Sequence, residues 1–255
     1  MPSILDPPPS EPSPLPFTIA ICGFDELPRS CRDGATHVLS ILDPAAPMPV
    51  ALNMLGRHER LVLRFHDVIA AAPDLIPPAP AHVADLLDFA RDLWRSGSSA
   101  RLLLHCHAGF SRSPAALALI LAQAAPTLSP AALADRVLRL RPCAWPNSRM
   151  IQIGDALLAR QGAIVEAAQQ IYRIRLAQQP ELAQLMLRCG RQREVAGGRW
   201  AGLARQAGPS AQPRRLYGWT AAALRAPAAP PQDGRQKPTS PSRSIWRTSS
   251  ISHFR

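Results

Sequence analysis

The sequence has no apolar run close to the roughly 20 residues needed to cross a bilayer. It also lacks the basic start and apolar stretch of a secretory signal, because it opens Met1-Pro-Ser-Ile-Leu-Asp-Pro-Pro-Pro. No Cys-x-x-Cys pair occurs, which argues against a zinc ribbon and a disulfide framework. The five cysteines are scattered over Cys22, Cys31, Cys106, Cys143 and Cys189. We therefore expect a soluble cytoplasmic protein with free thiols and no membrane partner.

Lysine is almost missing, since Lys237 is the single lysine among 29 basic residues. The net charge of +11 is typical of proteins that bind nucleic acid, but it is unevenly distributed. Residues 1–175 are nearly balanced, with 16 arginines and 15 acidic residues. Residues 176–255 hold 13 basic residues and only 3 acidic ones. The excess of positive charge therefore belongs to the C-terminal part of the chain.

Composition divides the chain into three parts. Residues 1–16 are rich in proline and are predicted to form a disordered arm. Residues 17–178 carry the regular apolar patterns and are predicted to form the folded domain. Residues 179–255 are predicted to be a basic, low-complexity, disordered tail.

Within the predicted domain, four short apolar runs bounded by Gly, Asp or Pro have the length of β-strands. These runs are 17–22, 36–42, 60–65 and 100–105. Helices are predicted at 80–94, 114–125, 129–140 and 148–177, the last with an interruption at Gly162. Strands that alternate with helices predict an α/β domain with a mostly parallel central sheet flanked by helices.

One loop carries the chemistry, and it joins a predicted central strand to a predicted helix. It is His105-Cys106-His107-Ala108-Gly109-Phe110-Ser111-Arg112-Ser113. A phosphate must be cradled by several inward-pointing N–H groups, and this loop has a glycine at its bend and no proline. The helix N-terminus adds positive potential. The pattern predicts a phosphate-binding loop formed by His107, Ala108, Gly109, Phe110, Ser111 and Arg112.

The spacing of Cys106 and Arg112 is weak support by itself, because Cys143 and Arg149 repeat it. The second loop contains Pro146, lacks glycine and links two helices, so we interpret it as a helix connection with an incidental cysteine. In the first loop, the helix dipole, Arg112 and a hydroxyl donor such as Ser113 would favour a thiolate nucleophile at Cys106. The fork of Arg112 can meet two phosphate oxygens.

A metal site at His105, Cys106 and His107 is the competing interpretation. Adjacent residues seldom bind one ion together, and no second cluster supplies further ligands, so we expect no metal and no cofactor. His105 is better interpreted as a buried residue that orients the loop, and His107 as a residue that points outward.

The frame His-Cys-x-Ala-Gly-x-Ser-Arg-Ser resembles the signature of protein tyrosine phosphatases, most closely the dual-specificity-like subgroup. The stretch 17–175 is similar to the small bacterial family of predicted protein tyrosine phosphatases. The similarity also includes Leu-Arg-Phe-His-Asp67 and Arg141-Pro142-Cys-Ala-Trp-Pro146-Asn147. The resemblance implies hydrolysis of a phosphorylated protein or small phosphomonoester, with phosphotyrosine or dual specificity.

By this resemblance Asp67 is the general acid that protonates the leaving oxygen, and afterwards the base that activates water. Ser113 would help the thiolate leave. An aspartate at a strand end also occurs for structural reasons alone, and Asp74 and Asp43 are the other candidates.

Three other functions stay open at this point. A sulfurtransferase of the rhodanese type also uses a loop cysteine. A phosphoinositide phosphatase would share the fold, although such enzymes commonly place lysines where this loop has His107, Ala108 and Phe110. A binding protein with a vestigial phosphatase domain is the third, because the arginines of the tail, with nearby Trp and Tyr residues, could contact nucleic acid.

Overall fold

The computed structural model describes residues 15–197. Most of the predicted arm, and the predicted tail beyond residue 197, lie outside the described residues. Leu15, which falls within the predicted arm, is 9% exposed and packs into the main core. The packed core therefore includes a residue from before the predicted boundary at residue 17.

A four-stranded, fully parallel sheet forms the centre of the domain. Its strands in chain order are β1 (Thr18–Cys22), β2 (His37–Leu42), β3 (Glu59–Arg64) and β4 (Arg101–His105). The order across the sheet is β1-β4-β2-β3, so β4 is bonded on both sides. All four predicted strands and the predicted parallel α/β class are confirmed.

Eight helices are assigned within residues 15–197. They are α1 (Leu27–Arg32), α2 (Pro80–Ser96), α3 (Arg112–Ala124), α4 (Pro130–Leu140), α5 (Ser148–Leu157), α6 (Ala163–Gln178), α7 (Leu182–Arg188) and α8 (Gln192–Gly197). None of them is both long and apolar enough to span a membrane. The predicted interruption at Gly162 is confirmed, because Gly162 lies between α5 and α6 with φ of 92°.

Side chains of the sheet alternate between two cores, as expected for strands covered on both faces. In β4, Leu102 and Leu104 belong to the main core, whereas Leu103 packs into a smaller cluster with Leu27 and Val38. Most residues of α3 are buried, and Ala115 to Ala122 belong to the main core, which explains the nearly continuous apolar sequence of this helix. The loop 106–111 joins the carboxyl end of β4 to the start of α3.

The prediction that residues 179–255 form a disordered tail is wrong for 182–197. Leu182, Ala183 and Met186 of α7 and Val195 of α8 are buried in the main core. Both helices are short, with seven and six residues, so packing against the domain, rather than local sequence, determines their structure.

Candidate active site

The loop between β4 and α3 is held in a tight bend by Gly109. Its φ of 65° lies in the left-handed region that favours glycine. A Cβ atom at this position would come within 2.6 Å of the backbone of Cys22 and Gly23. The bend therefore requires both the conformational freedom of glycine and the absence of a side chain.

The carbonyl groups of residues 107–111 all accept hydrogen bonds from the surrounding structure. The donors are Phe24 N to His107 O (2.8 Å), Arg141 Nη2 to Ala108 O (3.4 Å), Arg141 Nε to Gly109 O (2.8 Å), Trp145 N to Phe110 O (2.8 Å) and Asn147 N to Ser111 O (3.2 Å). In a planar trans peptide the next N–H points opposite to the carbonyl, and residues 15–197 contain no cis peptide. The amides of residues 108–112 are consequently turned away from these partners, towards the interior of the loop.

Cys106 and Ser113 form the floor of this amide cradle. Cys106 is 2% exposed, and its Sγ lies 3.1 Å from the hydroxyl oxygen of Ser113, with which it shares a hydrogen bond. Ser113 is in the first turn of α3, so its hydroxyl is positioned by the helix that follows the loop. The Ser113 hydroxyl is thus in position to donate a hydrogen bond to the Cys106 sulfur.

Arg112 is buried, and one side of its guanidinium is fixed by the sheet edge. Nη1 donates to Asp43 Oδ1 at 2.6 Å and to the carbonyl of Phe65 at 2.8 Å. Its Nε is buried without a hydrogen-bond partner among residues 15–197. A buried, unpaired donor of this kind is costly, so it calls for an acceptor that binds at the loop.

His105 lies beneath the loop at the end of β4 and is completely buried. Its Nε2 shares a hydrogen bond of 2.7 Å with the hydroxyl of Ser40 on β2. Burial lowers the pKa of His105 to about 4, so the imidazole is neutral at neutral pH. His107, by contrast, is exposed and its ring centroid lies 4.6 Å from that of Phe24. These placements agree with the buried and outward positions predicted for the two histidines.

Asp67 follows β3 and reaches the same loop. Its Oδ1 accepts from Ser111 Oγ at 2.9 Å, from Asn147 Nδ2 at 2.8 Å and from Arg191 Nη2 at 2.5 Å. Burial alone would raise the pKa of this carboxyl group. The charges of Arg191 and Arg112, together with the two other hydrogen bonds, outweigh burial and lower the pKa. Asp67 is therefore a carboxylate in contact with the loop.

The two other candidate acids are placed differently. Asp43 is the ion-pair partner of Arg112, so its carboxylate already has a role in orienting that guanidinium. Asp74 is exposed, in a turn with a left-handed backbone (φ 60°). Asp67 is the candidate that bonds to Ser111 of the loop.

Arg141 supports the loop from outside, and sequence reasoning assigned it no role. Besides its bonds to the loop carbonyls, its Nη1 forms an ion pair with Glu26 at 2.8 Å. Glu26 in turn accepts from the N–H of Gly23, which packs against the loop at Ala108. The available signal was its position in the segment 141–147, which carried the family resemblance.

The second pair with the same spacing has a different structure. Cys143 lies in the connection from α4 to α5, and Arg149 lies in the first turn of α5, where its Nε donates to the carbonyl of Pro78 at 2.7 Å. The backbone N–H groups of Trp145 and Asn147 in this connection donate to the first loop. The N–H groups of this connection thus orient the first loop. They do not point towards a common centre where a ligand could bind.

No family model and no curated protein matches the chain. Solved structures with a similar fold include human DUSP28, which is 19% identical with a TM-score of 0.42 over 56% of this chain and 94% of that structure. Tk-PTP in its active form is 21% identical, with a TM-score of 0.41 over 56% of this chain and 92% of that one. PTPMT1 in complex with PI(5)P is 17% identical, with a TM-score of 0.42 over 58% of this chain and 94% of that one. Likeness at these values does not assign an activity, so function has to be inferred from the contacts of the loop.

Proposed function

We propose that this protein hydrolyses phosphate monoesters through a covalent phosphocysteine at Cys106. The observation that supports this most strongly is the set of outward-bonded carbonyls at residues 107–111, which turns five consecutive amides inward. The buried Nε of Arg112 adds a charged donor beside them. A phosphate dianion satisfies both features, because it offers several acceptor oxygens and negative charge.

In the first step the Cys106 thiolate attacks phosphorus while the amides of residues 108–112 and Arg112 hold the equatorial oxygens. The S–P bond forms and the P–O bond to the leaving group breaks. Asp67 in its protonated form gives its proton to the departing oxygen. The products of this step are the free alcohol or phenol and a phosphocysteine.

In the second step water attacks the phosphocysteine. Asp67, now a carboxylate, takes a proton from the water as the O–P bond forms. The S–P bond breaks, and the Ser113 hydroxyl donates to the thiolate that leaves, consistent with its 3.1 Å distance from Cys106. Inorganic phosphate is released, and no metal or cofactor takes part in either step.

The contacts of Asp67 lead to an expectation for the pH dependence. Arg191 and Arg112 lower the pKa of Asp67, and the first step needs its protonated form. Substrates with poor leaving groups depend most on that proton, so their hydrolysis should favour acidic pH.

For the substrate class we propose phosphotyrosine in proteins, with dual specificity for phosphoserine and phosphothreonine as the alternative. Inositol lipids with several phosphates are a second candidate, but the loop offers His107, Ala108 and Phe110 where additional cations would be needed. Turnover of a phosphotyrosine peptide, a phosphoserine peptide and an inositol phosphate lipid, compared at equal concentration, distinguishes these classes.

The reaction itself is tested with p-nitrophenyl phosphate and a pair of matched cysteine variants. Cys106→Ser should abolish turnover because serine is a far weaker nucleophile at neutral pH. Cys143→Ser removes a half-buried thiol that has the same spacing to an arginine, and it should retain activity. Full activity in Cys106→Ser, or equal loss in both variants, contradicts the proposal.

A further inference from the structure

The segment that joins α7 to α8 reaches the candidate acid, although it lies beyond the domain predicted from the sequence. Arg191 is 5% exposed, and its Nη2 donates to Asp67 Oδ1 at 2.5 Å and to the backbone carbonyl of Asp67 at 3.1 Å. Its Nη1 donates to both carboxylate oxygens of Glu194 at 3.1 Å. One guanidinium therefore fixes the side chain and the backbone of Asp67 together.

Glu194 connects the same guanidinium to the region beneath the loop. It is 1% exposed and accepts from Trp145 Nε1 at 2.5 Å and from Ser148 N at 2.9 Å. The backbone N–H of Trp145 donates to Phe110 O in the phosphate-binding loop. A continuous set of hydrogen bonds thus runs from the loop through Trp145, Glu194 and Arg191 to Asp67.

The geometry at Asp67 distinguishes its two carboxylate oxygens. Arg191, Ser111 and Asn147 all donate to Oδ1. An oxygen that accepts three hydrogen bonds has its lone pairs engaged, so the proton of the acid form belongs on Oδ2. The rotation of the carboxyl group is fixed by the same contacts.

We propose that Arg191 is a positioning residue for Asp67: it holds Oδ1, so that Oδ2 carries the proton transferred to the leaving group. This inference rests on the proposed function. It makes the α7–α8 segment part of the catalytic domain rather than an appendage, because the acid is oriented from there.

Arg191 also influences the pH range in which Asp67 is protonated. The charged and titratable groups around Asp67 are Arg191, Arg112, Glu194, Tyr172 and Cys189. Of the two arginines that lower its pKa, Arg191 is the one in direct contact. Its removal should raise the pKa of Asp67 and move the high-pH decline of kcat/KM to higher pH.

The test uses the full chain and compares a double variant with the control Arg193→Met. The double variant is Arg191→Met with Glu194→Gln, so that the buried Glu194 carboxylate is not left without its partner. Arg193 is exposed and lies two residues further along the same segment. Turnover is measured with p-nitrophenyl phosphate and with phenyl phosphate, whose leaving group needs protonation more. We expect kcat on phenyl phosphate, compared at the pH optimum of each variant, to fall on the order of tenfold, with a much smaller change on p-nitrophenyl phosphate. The inhibition constant of inorganic phosphate should be unchanged.

A second comparison separates positioning from simple stabilisation. In an Asp67→Asn background, the Arg191 and Glu194 substitutions should cause no further loss on phenyl phosphate, because the group they position is already gone. Equal losses on both substrates, additive losses in this background, or behaviour identical to Arg193→Met would overturn the inference. If the Arg191→Met protein does not fold, Arg191→Lys is used in the same comparisons with the same criteria. Lysine keeps the positive charge but lacks the two-armed guanidinium that bonds to Asp67 and Glu194 together.

The proposed function is checked separately in the same assays. Wild-type turnover that disappears in Cys106→Ser supports it, and failure of the Arg191 comparison then overturns the positioning role alone. Turnover that survives in Cys106→Ser overturns the proposed function and the positioning role with it.

Discussion

Replacement of Arg141 by methionine should loosen the phosphate-binding loop and destabilise the domain. The guanidinium is 8% exposed and donates to the carbonyls of Gly109 and Ala108, which fix the direction of the two following amides. It also pairs with Glu26, whose side chain is 25% exposed. Methionine keeps most of the apolar stem and removes all of these donors.

The expected loss of stability can be worked from these contacts. A hydrogen bond to a charged group contributes about 1.5–3 kcal/mol, and removal of one partner from a buried ion pair costs about 3–5 kcal/mol. Because Glu26 remains partly in contact with water, the lower end of this range applies, about 3 kcal/mol. With a urea m-value of about 2 kcal/mol/M, the unfolding midpoint should fall by about 1.5 M.

Arg139, in the last turn of α4 and two residues before Arg141, provides a matched control. It pairs with Asp135 across one helical turn, and both side chains are more than half exposed. Such a pair contributes about 0.3–0.5 kcal/mol, so Arg139→Met should shift the midpoint by about 0.2 M. The inhibition constant of inorganic phosphate should rise about tenfold in Arg141→Met, which corresponds to about 1.4 kcal/mol, and stay constant in Arg139→Met.

Equal shifts in the two variants would refute the reasoning about stability. A normal phosphate inhibition constant in Arg141→Met would refute the reasoning about the loop, because the carbonyls would then hold their orientation without the guanidinium.

Two further predictions concern the residues that shape the loop. Gly109→Ala should abolish measurable phosphate inhibition and turnover, since its Cβ would lie within 2.6 Å of the backbone of Cys22 and Gly23 at a φ of 65°; turnover at the wild-type rate would contradict this. His105 has a folded-state pKa of about 4 against 6.5 for the free side chain, so the unfolded chain binds the extra proton between these values. Stability should therefore fall by about 3 kcal/mol as the pH is lowered through this window, and His105→Gln should remove that part of the pH dependence in urea titrations; an unchanged dependence would contradict it.

Much of the fold follows from local sequence because apolar residues recur at regular spacing over long segments. The helix predicted at 80–94 buries Val83, Leu86, Leu87, Ala90 and Leu93, as its spacing requires. Ser129 caps α4 by accepting from Ala132 N, as the Ser-Pro start indicates. Gly97, with φ of 70°, ends α2 where the sequence places a stop.

The tail boundary could not be derived in the same way. Helices α7 and α8 have seven and six residues, too few for a reliable apolar period. Their order depends on contacts made at long range, above all the pairing of Arg191 and Glu194 with Asp67 and Trp145. Because the segment 179–255 is rich in arginine, its composition did not distinguish Arg191 from the neighbouring arginines.

The pair of cysteine loops explains why spacing was a poor guide to the site. Cys106 and Arg112 are separated by the same number of residues as Cys143 and Arg149. The backbone N–H groups of the two loops nevertheless point in opposite directions. In the second loop, Trp145 and Asn147 point their N–H groups outward, to carbonyls of the first. Those bonds hold the carbonyls of the first loop outward and turn its amides inward. The distinction therefore lies in the contacts between the two loops, which no motif confined to one of them can encode.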